Sequence, residues 1–224
     1  GHTRLIILNF PHNPTGAVLS GDDISALREI VNGTDILILS DEVYQHIVFD
    51  GIRHESMSRY DDLAARSFII GSFGKTFHAT GWKTGYCLAP SSLTAEMRKV
   101  HQYVTFSTST PVQHALGEYM EDGTAHGGLS CFYQEKRDLF LSRIKGSRFT
   151  FIPSGGTYFQ LLDYSAISDE DEASFARRMT IEHGVAAIPP SVFYGKPVDN
   201  RVLRFCFAKK DETLEKATER LCSI

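Results

Sequence analysis

Three short apolar runs constrain this chain more than any other feature: residues 5–8 (LIIL), 36–39 (ILIL) and 68–70 (FII). Each is apolar throughout rather than alternating, the pattern of a strand buried on both faces. A helix signal lies between the first two. Ser20 with Asp22 and Asp23 marks its start, Ile24, Leu27, Ile30 and Val31 follow at helical spacing, and Gly33 ends it. Buried strands alternating with helices predict parallel β-α-β units. A fourth strand is expected over residues 86–89.

Each apolar run is followed by polar residues. Asn13 comes after the first, Asp41 and Tyr44 after the second, Ser72 and Lys75 after the third. Ligands of open α/β sheets bind outside the carboxyl ends of the strands. One sheet edge would therefore gather an amide, a carboxylate, a phenol, a hydroxyl and an amine. Lys75 is expected on a loop between Gly74 and Thr76. A lysine just past a buried strand can lose water contacts, lower its pKa and form a Schiff base with an aldehyde. Structural readings stand beside these: Asp41 as a cap for the next helix, Asn13 as an Asx-turn in its proline-rich loop, Ser72 as a small strand-end residue, Lys83 as a surface charge and Arg204 as an ion-pair partner.

Beyond Ser91 the pattern turns helical. Leu93, Met97, Val100 and Val104 share one face, and further helices are expected over residues 112–120 and 129–144. The run Glu135, Lys136, Arg137, Asp138 reads as a solvated face of the last of these. Strands are expected again at 149–152, 158–162 and 202–208, with a short segment at 185–188 and helices over 170–183 and 212–221. The fold class is α/β, with a mainly parallel sheet over residues 1–145 and a small C-terminal α+β domain over 146–224.

The chain has 224 residues, 42% hydrophobic and 22% charged, enough apolar material for one core or two small ones. A net charge of −4 gives no indication of nucleic acid as partner. No apolar run approaches the ~20 residues of a membrane span. Cys87, Cys131, Cys206 and Cys222 form no CxxC pair, so buried free thiols and a reducing, cytoplasmic setting are expected. His12, His46, His78 and His101 lack metal-ligand spacing, and no metal is expected.

Five short segments together resemble the class I/II aminotransferases of the fold-type I pyridoxal phosphate enzymes. Ser72-Phe-Gly-Lys75 and Gly81-Trp-Lys83-Thr-Gly85 resemble the family's cofactor lysine and phosphate segments. Residues 9–16 (NFPHNPTG) resemble its N-P-x-N-P-T-G loop, with Phe10 in place of the first proline, and Asp41-Glu-Val-Tyr44 resembles its D-x-x-Y. Arg204, directly before Phe205-Cys-Phe-Ala208, matches its carboxylate-binding arginine, and is preferred over Arg201 on that ground.

The resemblance implies pyridoxal 5'-phosphate as cofactor, with Lys75 as catalytic residue. It further implies Asp41 at the ring nitrogen, Tyr44 and Asn13 at the ring phenolate oxygen, Ser72 and Lys83 at the phosphate, and Arg204 at the substrate carboxylate. Lys83, where many members have arginine, resembles the kynurenine, glutamine and methionine aminotransferase subgroup. That implies transfer from a bulky uncharged amino acid (methionine, glutamine, aromatic or kynurenine) to a 2-oxo acid, with residues 187–194 as an apolar wall.

Enzymes of this family are nearly twice as long. The resemblance thus implies a C-terminal portion with exposed apolar surface, drawn from a homodimer. Two alternatives remain open on the same residues: a pyridoxal phosphate carbon–sulfur lyase, and a non-catalytic ligand-sensing module.

Overall fold

A computed structural model describes residues 2–121, 123, 126–196 and 198–224. Their contacts divide into two units, one of residues 1–11 and 18–129, the other of residues 12–17 and 130–224. The boundary drawn from the sequence near residue 145 coincides with the end of a helix inside the second unit.

The first unit is built on a four-stranded sheet: β1 (Leu5–Asn9), β2 (Leu37–Asp41), β3 (Ser67–Ser72) and β4 (Gly85–Leu88), side by side in that order. β1, β2 and β3 run parallel, with Leu5 beside Leu37 and Leu39 beside Phe68. β4 runs antiparallel to β3, Ser72 facing Gly85. Only residues 73–84 connect those two strands. They coil into the single turn of α3 (Phe73–Thr76) and the 3-10 turn Thr80–Trp82, leaving no helix long enough for a crossover.

Helix α1 (Gly21–Val31) covers one face of this sheet. Its start is a capping box: Ser20 Oγ accepts from the Asp23 N–H, and Asp23 Oδ2 accepts from the Ser20 N–H at 2.8 Å. Ile24, Leu27 and Val31 pack with Ile38 and Ile69, and with Met57 and Leu63 of the 3-10 turn Met57–Arg59 and α2 (Asp61–Ala64). Ile30, grouped with them by spacing, is 62% exposed, because six residues of helix carry it well off that face.

The expected burial on both faces does not hold for β1. It is an edge strand covered on one side, where Ile6 and Leu8 join the core while Leu5 and Ile7 are exposed. β2 and β3 alternate buried and half-buried residues instead. Helices α4 (Ser91–Val104) and α5 (Thr110–Met120) complete the unit, and α4 has no buried residue.

The second unit pairs β5 (Phe159–Asp163) antiparallel with β6 (Val202–Cys206) and packs them with α6 (Leu129–Ile144), α7 (Glu172–Arg178) and α8 (Asp211–Leu221). Its core is aromatic. Phe149 stands 6.5 Å from Phe175 and 6.3 Å from Phe205, Phe140 lies 6.0 Å from Phe205, and Tyr164 stacks on Phe175 at 4.2 Å.

Several sequence expectations are corrected. Residues 149–152 form no strand but a single bridge, Thr150 to Asp163: the Ile152 carbonyl, which would continue the ladder, accepts from the side chain of Gln160 at 2.8 Å instead, and Ile152 is 87% exposed. Residues 185–188 likewise give only the bridge of Ile188 to Arg204. Arg137 is buried rather than solvated, since four consecutive helical residues point in four directions. Its Nη1 donates to the Ser154 carbonyl at 2.9 Å. All four cysteines are free thiols, as expected, but none is buried: Cys131 and Cys222 are exposed and the others half-buried.

Candidate active site

In the first unit the strand register decides which side chains share a face. Asp41 lies opposite Ile70, and Ile70 and Ser72 are two residues apart on β3, so Asp41 and Ser72 project from the same half-buried face at the carboxyl ends of β2 and β3. Asp41 Oδ1 accepts from the Val43 N–H at 3.2 Å, holding the turn that follows the strand. Tyr44 sits in that turn, only 3% exposed.

Lys75 is carried on α3, one helical turn beyond β3, rather than on the expected loop. Its Nζ lies 5.6 Å from the centre of the Tyr44 ring, over its face. Gly74 beneath it admits no side chain comfortably, since a Cβ there would stand 3.0 Å from Thr80 Cα.

Lys83 reaches the same end of the sheet by a different route. Ser72 pairs with Gly85, so the residues just before β4 stand beside the end of β3. Lys83 is exposed and adopts φ 53, ψ 39, a left-handed conformation that costs an L-residue roughly 1–2 kcal/mol. Such strain is tolerated where the surroundings enforce it, often at functional sites.

Two neighbours went unnoticed in the sequence. Tyr86 lies across Gly71 so closely that a Cβ at Gly71 would meet its ring at 2.1 Å, and its hydroxyl accepts from Gln45 Nε2 at 2.6 Å. This clamps the turn carrying Tyr44 to β4. The signal was available as a tyrosine one residue into a strand opposite a glycine.

Glu42 was passed over as well. It is 1% exposed, accepting from Ser40 Oγ at 2.8 Å and the Met57 N–H at 3.0 Å, with His54 Nε2 at 2.9 Å. Burial raises its carboxyl pKa, but the His54, Met57 and Ser56 bonds outweigh that and hold it below the usual range. Glu42 thus ties the segment after Asp41 to residues 54–57.

Asn13 was expected at the sheet edge. Its loop, residues 12–17, makes its contacts within the second unit. The loop is held there by Gly16, whose carbonyl accepts from the N–H groups of Gly155 and Gly156, each at 3.0 Å. Gly16 adopts φ +71 and lies where a Cβ would stand 2.3 Å from Ser154 Cβ, so only glycine fits. Asn13 Oδ1 accepts from Arg204 Nη1 at 2.7 Å. The guanidinium carbon of Arg204 lies 4.3 Å from the centre of Phe159 and 5.9 Å from that of Phe193. Stacking fixes the plane of the arginine fork. Arg201, the rejected candidate, turns outward to Asp169 at 2.7 Å.

The first unit thus brings together Asp41, Tyr44, Ser72, Lys75 and, by topology, Lys83. The second brings together Asn13 and Arg204. Among the described residues no group of His, Cys, Asp and Glu could hold a metal ion, and no helix is long and apolar enough to cross a membrane.

Comparison with known proteins gives a consistent picture. The family model for aminotransferase class I and II matches residues 1–221. The chain is 48% identical over 220 residues to a methionine aminotransferase of Escherichia coli, covering 98% of this chain and 57% of that protein. It is 35% identical to a kynurenine–oxoglutarate transaminase of Dictyostelium discoideum, covering 99% of this chain and 57% of the other. A solved Escherichia coli structure with a methionine aminotransferase function superposes with a TM-score of 0.96 at 47% identity, covering 99% of this chain and 59% of that one. The N-succinyldiaminopimelate aminotransferase of Mycobacterium tuberculosis gives 0.91 at 37% identity, covering 99% and 58%. The chain therefore spans somewhat under three fifths of the length of these relatives.

Proposed function

Since the chain belongs to the class I and II aminotransferases, we propose that the protein transfers an amino group from a bulky uncharged amino acid to a 2-oxo acid, with pyridoxal 5'-phosphate as cofactor. The observation that carries this reading is the donor set on one sheet edge: an amine over a buried phenol, beside a carboxylate and a hydroxyl. Each matches one functional group of a pyridine aldehyde phosphate. Bound there, the cofactor supplies an electron sink for the substrate carbanion.

The residues of this chain do the rest. Asp41 places a carboxylate where a protonated ring nitrogen is stabilised. Tyr44 offers its hydroxyl to the ring oxygen, and Asn13 is assigned to the same oxygen. Ser72 and Lys83 hold the phosphate, the lysine as a point charge. Lys75 would hold the cofactor through its Nζ until the substrate amine takes its place, and the amine thus freed would remove a proton from the substrate as base and return it as acid. Arg204 receives the substrate carboxylate, for which a planar guanidinium offers paired donors.

Methionine, glutamine, kynurenine or an aromatic amino acid is the donor class we assign. Support comes from the relatives named for methionine and kynurenine and from the exposed Phe193 beside Arg204. We further infer a cytoplasmic homodimer. Four free thiols and the exposed Tyr103, Val104 and Phe106 support that reading.

The test is product analysis with methionine or phenylalanine and a 2-oxo acid. The expected result is the matching keto acid, formed only when the acceptor is present. Pyruvate and a thiol released from a cystathionine-like substrate without acceptor would replace this reading with a carbon–sulfur lyase.

A further inference from the structure

Glu172, in the first turn of α7, is 1% exposed, and no role so far described uses it. Its Oε2 accepts from the Ser191 N–H at 2.7 Å. Its Oε1 accepts from the N–H groups of Asn200 at 3.1 Å and Val202 at 3.3 Å. One buried carboxylate thus joins three backbone donors from two segments distant in sequence.

Both segments lead to the substrate end of the second unit. Ser191 lies in the 3-10 turn Pro190–Phe193, whose Phe193 ring is 5.9 Å from the Arg204 guanidinium carbon. Val202 opens β6, which carries Arg204 two residues later. The two segments are also laced directly, Ile188 and Arg204 exchanging backbone hydrogen bonds at 3.0 and 2.9 Å. Phe193, Val192 and Tyr194 are more than half exposed, so packing does little to place them.

We propose that Glu172 is a positioning residue for substrate selection, stapling the Pro190–Phe193 turn to β6 so that Phe193 stands at a set distance from Arg204 and meets the donor's side chain. This rests on the reading of Arg204 as the carboxylate-binding residue and deepens it. A carboxylate suits the task because it only accepts, and all three groups facing it only donate. Glu172→Gln turns one acceptor into an NH2 that opposes a backbone N–H.

The experiment compares kcat/KM for methionine and phenylalanine with kcat/KM for alanine in the full-length protein. Alanine offers the same carboxylate with almost no side chain. Glu172→Gln is expected to lower the preference for the large donors about tenfold, within the range a hydrophobic contact contributes to discrimination. Phe193→Ala, at an exposed position, is expected to lower it comparably without endangering folding, and the double variant to lose little more than either. Backbone amide exchange at Ser191 and Asn200 should quicken in Glu172→Gln.

An unchanged preference in folded Glu172→Gln, or in Phe193→Ala, overturns the inference and leaves the aminotransferase reading intact. A wild-type protein that transfers no amino group overturns the reading, and the inference falls with it.

Discussion

The two units each bury a glutamate to 1% exposure, and they support it differently. Glu42 in the first unit is held by a hydroxyl, one backbone N–H and a histidine. Glu172 in the second is held by three backbone N–H groups. Glu42 steadies the turn with Asp41 and Tyr44, groups assigned to the cofactor. Glu172 steadies the turn and strand around Arg204, the group assigned to the substrate carboxylate. The unit assigned the chemistry thus braces its glutamate partly through side chains, and the unit assigned substrate binding braces its own through main chain.

The largest effect belongs to Lys75. Lys75→Ala removes the group assigned both to attach the cofactor and to carry the proton, so kcat in the full-length protein should fall by on the order of a thousandfold or more. Arg204→Lys keeps the charge but loses the paired donors, and kcat/KM should fall about a hundredfold, mostly through KM. If both losses fell equally on kcat, the division between reacting and binding groups would be broken.

Stability comes next. Glu42→Ala leaves the Met57 N–H and His54 without their acceptor in a buried place, and urea unfolding should show a loss of about 3 kcal/mol.

The same region should make stability depend on acid. Burial, and then the charges of His126 and His54, lower the His46 pKa from 6.5 to about 4. The unfolded chain therefore binds the proton first. Stability from this residue is complete above pH 6.5 and declines as pH falls toward about 4. Glu42 acts in the same direction lower down, its contribution being lost as pH falls below the ordinary carboxylate range. Unfolding free energies measured between pH 4 and 7 should rise with pH, and His46→Phe should flatten that slope. An unchanged slope would mean that His46 is not a source of the acid sensitivity.

The smallest effect sharpens the picture by changing sign. Lys83→Gly relieves a left-handed backbone and should raise stability by up to about 1 kcal/mol, while weakening affinity for pyridoxal phosphate about tenfold. A variant that is both more stable and equally tight would return Lys83 to the status of a surface charge.

Much of the first unit was legible because its determinants are local. An apolar run with polar residues after it announces a strand end, and β2 and β3 bring Asp41 and Ser72 to one face by register alone. The direction of β4 was not legible, as it depends on how residues 73–84 coil. The partner of Asn13 was hidden for a different reason. Arg204 lies 191 residues further along, and the loop joins the second unit through backbone bonds to Gly16. Arg137 falls in a charge run that reads as a solvated face, and no spacing singles out Glu42 or Glu172, because burial of a charged residue is decided by partners that no spacing rule reveals.

Everything assigned to the first unit turns on Lys75 as the residue that takes the cofactor. The most direct measurement adds pyridoxal phosphate, reduces with borohydride and maps the adduct by peptide mass spectrometry. The account predicts a single modified peptide with the label on Lys75. Label scattered over surface lysines, or concentrated on any lysine other than Lys75, would contradict it.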